Sequence, residues 1–447
     1  MGPGASSVLL RRGHLIPPLA AGGLFLIVAA LLGPGVVWGD TVQYIRIAHE
    51  LGGMPVHQAW FTAYTEYCAH PSSGLQGTGA DCASAAWAGA GPIVGVHDRT
   101  PAYAAIFSPR IGYPLVSLPL MTLLGDQVGL WIVAVLSTAL AGLLVHRIAR
   151  VVGLGRRTAL LSQLAFYLLP VGLDHGTALL AEGPSLMAAL ILVLGVAHLL
   201  RGSRRRGLLL AVAGYALVYF FKYSSVLILC VAVLAVCVVM VIVPSSRHDR
   251  RVRLTGVVAL ALTLASFVIG SAFGLPGVEH SLQDTFTWHF TLPPVPDPWV
   301  KLLFLEGNFL GTFVGNLPLN PGWVLVAAIG IAGIVLLLRR RRPDPSAWAL
   351  TVPAGLGVLT VVGHPVYSQS ARLGSPVWVT MAFGVGIAIS WAVDRFASRR
   401  RRSRRAPVSP LAADHDLLGA HRPTRARRDA APAPERAAPG PDAVSSA

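Results

Sequence analysis

Asp40 is the residue whose type and position best suit chemistry. It lies where the first long apolar segment ends, so its carboxylate is expected at the edge of a lipid bilayer. Residues 40–51 carry apolar side chains at helical spacing and predict an amphipathic helix along the interface. Two interpretations stay open. Asp40 could take part in acid–base chemistry, or it could cap this helix, with Gln43 completing a capping box.

Glu182 is a second acidic residue at the edge of an apolar segment. Pro184, two residues later, suits the first turn of the helix that follows. Because carboxylates at membrane depth are costly, they usually face a polar cavity. Glu182 is therefore predicted either to line a cavity or to interact with the helix dipole.

Three cationic residues are candidate phosphate ligands. Lys222 and Arg372 lie at short breaks between apolar segments, and Arg110 lies in a proline-containing segment. Cations at the ends of helices can bind a phosphate that arrives from the lipid phase. The alternative is that these side chains simply reach the lipid head groups.

A substrate cavity is predicted beside these cations. Prolines at 114 and 119 interrupt the segment 108–120, and broken helices at membrane depth are tolerated where they line a cavity. We assign Tyr113 and Pro114 to this cavity, together with His364 and Tyr367 from the short loop before Arg372. The segment could instead be a re-entrant turn that packs against the second span.

A later polar segment combines titratable and aromatic residues: His280, Asp284, Trp288, His289 and Trp299. Aromatic side chains beside a cavity suit stacking against a sugar. They suit anchoring at the membrane interface equally well.

A membrane domain must position these residues. The 447-residue chain is 54% hydrophobic and 13% charged, with a mean hydropathy of +0.62, whereas soluble domains carry roughly 25% charged residues. Since a span needs roughly 20 apolar residues, the apolar stretches predict an all-α polytopic integral membrane protein with about ten transmembrane helices. We place these helices at residues 17–37, 126–148, 158–172, 184–200, 207–221, 224–243, 254–273, 322–338, 347–363 and 374–392.

The arginines predict the orientation. They concentrate in the loops after spans two, four, six and eight: Arg150, Arg156 and Arg157; Arg201 and Arg204 to Arg206; Arg247, Arg250, Arg251 and Arg253; and Arg339 to Arg342. The positive-inside rule then puts both termini in the cytoplasm. It leaves a large first extracytoplasmic loop at 38–112 and a second at 274–320.

The remaining charge lies in the tail. Residues 395–447 are basic and rich in Pro and Ala, which predicts a disordered cytoplasmic tail against anionic lipids. The net charge of +16 is therefore explained by topology and tail, and no nucleic-acid partner is inferred. Cys68 and Cys82 share the first outer loop and predict a disulfide.

The order of these features resembles one class of enzymes. An acid after the first span, a Tyr-Pro pair before the second, a Glu-x-Pro at the fourth and a Lys-containing turn after the fifth are similar to the GT-C class. This class comprises polytopic glycosyltransferases that use lipid-phosphate-linked sugars, such as protein O-mannosyltransferases and aminoarabinose transferases. The resemblance covers roughly residues 17–394, the predicted membrane domain 1–394 without its N-terminus.

The resemblance implies roles for individual residues. Asp40 matches the catalytic acid of the first loop, and Glu182 the acid that opens the fourth span. Lys222 and Arg372 match outer cations that hold the carrier phosphate. Tyr113 and Pro114 match the aromatic-proline pair before the second span. The chain departs from the class at Thr41, where some members have a second acid, and in lacking a large soluble outer domain after the last span.

The implied reaction moves a hexosyl or pentosyl group from a polyprenyl-phosphate donor to a glycan, lipid or protein acceptor. Asp40 would act as general base or position the acceptor, and Asp98 is a candidate second carboxylate. No cofactor is implied, no metal-ligand spacing occurs in the sequence, and a divalent metal ion stays open because members of the class differ in metal use. The preference for Arg over Lys, with abundant Ala, Gly and Val, indicates a high-GC, actinobacteria-like source and a bacterial plasma membrane.

Two other functions remain in competition with transfer. A transporter or flippase of lipid-linked glycan intermediates would use the same cavity without breaking a bond. A non-catalytic scaffold of the cell envelope would need neither Asp40 nor the cations. Replacement of Asp40 by Asn separates the three: transfer predicts near-complete loss of turnover with the fold intact, transport predicts only weaker binding, and a scaffold predicts no change.

Overall fold

The computed structural model describes residues 15–70, 79–88, 100–243, 246–287, 289–339 and 344–404. Within these ranges the chain is helical and contains no β-strand, as the predicted all-α class requires. Asp98, Trp288 and the tail from residue 405 onward lie outside the described residues. The described residues up to Arg395 form one compact unit, and the described residues 396–404 belong to a second.

Eighteen α-helices are numbered here in chain order within the described ranges. They are α1 (Ile16–Leu32), α2 (Gly39–Leu51), α3 (Val56–Ala69), α4 (Gly79–Trp87), α5 (Pro101–Phe107), α6 (Gly112–Leu124), α7 (Asp126–Val151), α8 (Arg156–Leu168), α9 (Pro170–Leu173), α10 (Glu182–Leu200), α11 (Arg204–Ile242), α12 (Arg250–Ala272), α13 (Val278–Phe286), α14 (Pro298–Asn316), α15 (Pro321–Leu338), α16 (Val352–Val362), α17 (Tyr367–Leu373) and α18 (Val377–Arg404). In the same described ranges, two 3₁₀ helices, Leu317–Leu319 and Pro345–Thr351, precede α15 and α16.

Seven helical segments of the described chain are long and apolar enough to cross a membrane. They are α7, α10, α11, α12, α15, the segment Pro345–Val362 and residues Val377–Ser398 of α18. Two shorter apolar helices, α1 and α6, accompany them. The protein is thus a helical, multi-pass membrane protein by length and composition of its helices. The predicted count of about ten spans is not confirmed.

The longest helix, α11, reverses direction at Lys222. Gly202, just before α11, packs against the Arg251 side chain, while Cys237, near the end of α11, packs against Gly256. Both contacts are with the first two turns of α12, so the two ends of α11 lie at the same end of the fold. A straight helix of 39 residues would instead separate them by nearly 60 Å at about 1.5 Å per residue. Lys222 has φ −157° and ψ 76°, which breaks the helix there and agrees with the predicted turn between spans 207–221 and 224–243.

The loops rich in arginine meet at one end of this fold. Arg201 extends to Asp344, with Arg201 Nη1 3.6 Å from Asp344 Oδ2, and it also lies beside Gly153. Gly202 contacts Arg251. We call this the arginine end, defined by Gly153, Arg201, Arg251 and Asp344. The loops that the arginine pattern places on one side of the membrane are therefore neighbours.

Helix α10 packs closely against the first half of α11, and both run from the arginine end to the opposite end of the fold. Gly207 lies against Leu199 and Gly214 against Leu192, so the two helices run antiparallel. A Cβ on Gly207 would lie 2.7 Å from Leu199 Cγ, so a larger residue would push the helices apart. Small residues allow such close approach of membrane helices. As a result, Glu182 at the start of α10 faces the break in α11.

The first loop region is itself helical. A disulfide joins Cys68 at the end of α3 to Cys82 in α4, with the two Cα atoms 5.9 Å apart. In α2, the Tyr44 ring packs edge-on against Phe107 and Tyr113, with centroids 6.0 and 5.2 Å away. These contacts fix α2, and with it Asp40, against α5 and α6.

Candidate functional site

Asp40 lies in the first turn of α2 but does not cap it. The helix begins after Trp38, whose backbone N–H donates to Thr41 Oγ1 at 3.0 Å, while the Thr41 N–H donates to the Trp38 carbonyl at 2.9 Å. The proposed capping box of Asp40 and Gln43 is therefore wrong. Because Thr41 performs this role, the Asp40 carboxylate points elsewhere in the fold.

Arg372 is the partner of Asp40, although 332 residues separate them. It lies near the end of α17, and its Nη1 donates to Asp40 Oδ2 at 2.9 Å. Its Nη2 donates to Gln369 Oε1 at 3.1 Å, and the guanidinium lies 5.0 Å above the Trp38 ring. The Arg372 side chain is only 7% exposed. These contacts hold it in one orientation.

Glu182 and Lys222 form a second buried pair beside the first. Lys222 Nζ lies 3.1 Å from Glu182 Oε1, and the same oxygen is 3.8 Å from Arg372 Nε. Glu182 therefore joins the two cations into one network. Its other oxygen, Oε2, is buried and has no hydrogen-bond partner in the part of the chain that the structure describes.

Arg110 is the third cation and differs from the other two. It is buried, with its guanidinium 4.7 Å above the Phe107 ring, and its Nε has no hydrogen-bond partner among the described residues. Burial alone would raise the pKa of Asp40, but the positive charges of Arg372, Arg110 and Lys222 outweigh it and lower the pKa of that carboxyl below its usual value. Asp40 is thus a stable carboxylate.

Asp40, Arg110, Lys222 and Arg372 line one cavity of about 620 Å³. Glu182 lies behind it, in a smaller cavity of about 40 Å³ that Lys222 and Arg372 also border. We call the surrounding part of the fold the cavity end. The structure thus brings together both described acids and all three cations that the sequence singled out.

One wall of the large cavity is apolar. It includes Leu227 and Ile228 from the second half of α11 and Phe267 and Gly270 from α12. The Phe267 side chain is largely exposed, so this wall reaches the outer surface of the helices that are membrane candidates. The cavity therefore joins a charged region to an apolar one.

Another part of the lining comes from α13, from the turn after it and from the loop before α17. Asp284, His289 and His364 line the cavity. His289 Nδ1 lies 2.9 Å from Asp284 Oδ1, and His364 Nδ1 lies 2.7 Å from Thr285 Oγ1. Burial lowers the pKa of His364 to about 4, which keeps its imidazole neutral near pH 7.

Tyr113, Pro114 and Tyr367 are not among the residues that line the cavity. Tyr113 is fully buried, and its hydroxyl donates to the Leu130 carbonyl at 2.9 Å, so it packs α6 against α7. Tyr367 is exposed beside Phe309. Of the four residues assigned to the cavity from sequence, only His364 lies there.

Some lining residues carried no clear sequence signal. Gln369 orients Arg372, and Tyr103 contributes an aromatic face to the cavity. Asp284 and His289 stood out only as part of an aromatic loop, and Trp299 of that loop is largely exposed. Within the described ranges no three His, Cys, Asp or Glu side chains cluster as a metal site would require.

No protein-family model matches this chain, and no curated protein matches it at a significant level.

Proposed function

We propose that the protein is a membrane glycosyltransferase that moves a sugar from a polyprenyl-phosphate donor to a cell-envelope acceptor. One observation carries this proposal: a carboxylate and three cations line a single cavity whose wall continues into an apolar surface. A polyprenyl-phosphate sugar has the matching parts, namely an apolar chain, a phosphate and a polar sugar.

The cations suit a phosphate that gains charge as it leaves. Arg372 and Lys222 are held by Asp40 and Glu182, whereas Arg110 has no carboxylate within ion-pair distance among the described residues. Arg110 is therefore the cation with most capacity to take up new negative charge. Cationic side chains that are already held in place stabilise developing charge without having to reorganise during transfer. The ion pairs through Glu182 hold Lys222 and Arg372 in this way.

The reaction forms one bond and breaks one. The acceptor hydroxyl oxygen attacks the anomeric carbon, the bond between that carbon and the phosphate oxygen breaks, and polyprenyl phosphate leaves with the electron pair. Asp40 could serve as the base or position the acceptor. Its pairing with Arg372 and its lowered pKa favour positioning, because a carboxylate of low pKa is a weak base.

The sidedness of the reaction is part of the proposal. The cavity end lies away from the arginine end, which the positive-inside rule assigns to the cytoplasm. Transfer would then occur on the outer face of a bacterial plasma membrane, where the donor arrives already activated and no nucleotide is needed.

The proposal is tested with purified protein in vesicles that contain polyprenyl-phosphate donors with radiolabelled hexose or pentose, plus an extract of cell-envelope glycan. Transfer predicts that label leaves the lipid and that free polyprenyl phosphate accumulates. A flippase predicts instead that intact labelled donor moves to the other leaflet. Intact donor throughout, from well-folded protein and across donors of both sugar classes, would overturn the proposal.

A further inference from the structure

The Asp284–His289 pair is a second acid–base element in the same cavity. Asp284 is buried in α13, and its Oδ1 lies 2.9 Å from His289 Nδ1. Because a carboxylate oxygen accepts in this contact, Nδ1 carries its hydrogen, and Nε2 is the nitrogen through which the ring would exchange a proton. His289 lines the cavity, as Asp40 and Arg372 do.

The backbone at His289 is unusual in a way that fits a functional role. His289 has φ 58° and Phe290 has φ 62°, two successive left-handed residues that are not glycine. Such conformations cost free energy and persist only where surrounding contacts impose them. The contacts are present: the His289 N–H donates to the Asp284 carbonyl at 2.9 Å, and the Phe290 N–H donates to Thr287 Oγ1 at 3.0 Å.

The ring of His289 is also held from outside its own loop. It lies against the Tyr103 ring of α5, with centroids 4.6 Å apart. A backbone turn, a carboxylate and an aromatic face therefore fix one imidazole at the wall of the cavity. Of the histidines on this side, His280 differs, because its Nε2 bonds the Ala102 carbonyl at 2.9 Å and it is not among the lining residues.

We propose that His289 is the general base of the transfer and that Asp284 is the residue that positions it. This rests on the proposed function, and it answers a need of that function, since Asp40 is engaged by Arg372. A carboxylate on Nδ1 that orients an imidazole for proton transfer through Nε2 is an arrangement used on unrelated folds.

The proton balance is complete without another reactant. As the acceptor oxygen bonds to the anomeric carbon, its proton passes to His289 Nε2, and the electron pair of the broken bond leaves with polyprenyl phosphate. The imidazolium, stabilised by Asp284, then gives its proton to water or to the departing phosphate. Asp40 holds the acceptor hydroxyl, and Arg110, Lys222 and Arg372 neutralise the phosphate.

The test uses His289→Gly and His289→Asn in the full-length protein. Both residues tolerate φ near 58°, so neither adds backbone strain, and glycine also leaves room for a free imidazole. The assay follows release of polyprenyl phosphate from a labelled donor that the wild-type protein uses. We expect both variants to lose at least about 10²-fold in kcat with little change in KM. Added imidazole should restore part of the rate to His289→Gly and none to His289→Asn.

Two further variants separate catalysis from structure. Asp284→Asn should lower kcat, because the amide no longer holds the reactive tautomer, and imidazole should not rescue it. His280→Ala removes a histidine outside the cavity lining, whose Nε2 bonds the Ala102 carbonyl and whose ring packs against Phe290, so any loss there should be insensitive to imidazole. Retention of wild-type kcat by both His289 variants would overturn this inference alone. The inference would also be overturned if His289→Gly lost kcat without rescue by imidazole and His280→Ala lost kcat to the same extent.

The two proposals fail in different ways. If the wild-type protein releases no polyprenyl phosphate from any donor, the transferase function and the role of His289 fall together. If wild-type turnover is present and the His289 variants keep it, the transferase function stands and only the assignment of the base is lost.

Discussion

The two ends of the helical fold use arginine in opposite ways. At the arginine end, Arg201 and Asp344 are 3.6 Å apart, and their side chains are 45% and 41% exposed. At the cavity end, Arg372 bonds Asp40 at 2.9 Å and is 7% exposed. Exposed pairs contribute little because water screens them, whereas a buried charge is costly unless a partner remains. The comparison teaches that the hydrated arginine adds little to the stability of the fold, whereas the buried one depends on its partner.

The largest loss of stability is expected from Arg372→Met. A small loss in this variant would remove the contrast between the two ends. The substitution leaves Asp40 without its hydrogen bond and Glu182 with only Lys222. Removing one partner of a buried pair typically costs about 3–5 kcal/mol, so we expect a loss of that size in the free energy of unfolding. Denaturant unfolding in detergent measures it. A loss no larger than that of an exposed arginine would contradict the account.

Acid should destabilise the cavity end through His364. Its folded pKa is about 4, against 6.5 unfolded, so between these values only the unfolded chain binds the proton. Stability therefore falls as the pH drops from 6.5 to 4, by up to about 3 kcal/mol, and this contribution levels off below that window. The difference in unfolding free energy between wild type and His364→Gln should change with pH in this window. A constant difference would show that His364 does not titrate in this way.

The Lys222–Glu182 pair should show coupling of intermediate size. Lys222→Met leaves Glu182 buried with Arg372 Nε at 3.8 Å as its remaining cation, so we expect a loss of about 2 kcal/mol. The double variant with Glu182→Gln should recover part of this loss, because no unpaired charge remains. A double-mutant cycle of unfolding free energies measures the coupling, and strictly additive losses would mean that the two side chains are independent.

Arg201→Met at the arginine end should have the smallest effect. Its partner Asp344 is exposed and becomes hydrated when the arginine is removed. We expect a change below about 1 kcal/mol in unfolding free energy, reduced further by salt. The same denaturation experiment, run beside Arg372→Met, provides the matched control. A loss as large as that of Arg372→Met would remove the distinction between the two ends.

The sequence was enough to find the charged residues but not to pair them. Asp40, Glu182, Lys222 and Arg372 stand out because charges at the ends of apolar segments are rare. Their pairing depends on how α2, α10, α11 and α17 pack, over a separation of 332 residues for Asp40 and Arg372. No local pattern reports such a contact.

Errors at the site came from local patterns with more than one physical solution. Asp40 fits an N-cap position, yet the N-cap residue is Trp38, and Thr41, the third residue of α2, accepts from its backbone N–H. Tyr113 fits a cavity residue, yet its hydroxyl satisfies the Leu130 carbonyl inside the protein. The left-handed turn that aligns His289 with Asp284 has only a weak sequence signature, since histidine is enriched at positive φ and phenylalanine is not.

Segment boundaries were also only partly predictable. The predicted span 158–172 is divided, because α8 ends at Leu168 and Pro170 starts a separate short helix. The predicted outer loop 274–320 contains the 19-residue helix α14. In both places the apolar pattern alone did not fix where the helices begin and end.

The central claim is that the charged cluster at the cavity end performs transfer from a lipid phosphate. The most direct measurement is the rate at which labelled sugar leaves a polyprenyl-phosphate donor in vesicles, compared among wild type, Asp40→Asn and Arg201→Met at equal amounts of folded protein. The account predicts a loss of at least about 10²-fold for Asp40→Asn and a near wild-type rate for Arg201→Met. Equal rates for wild type and Asp40→Asn, or no transfer by any of the three, would contradict it.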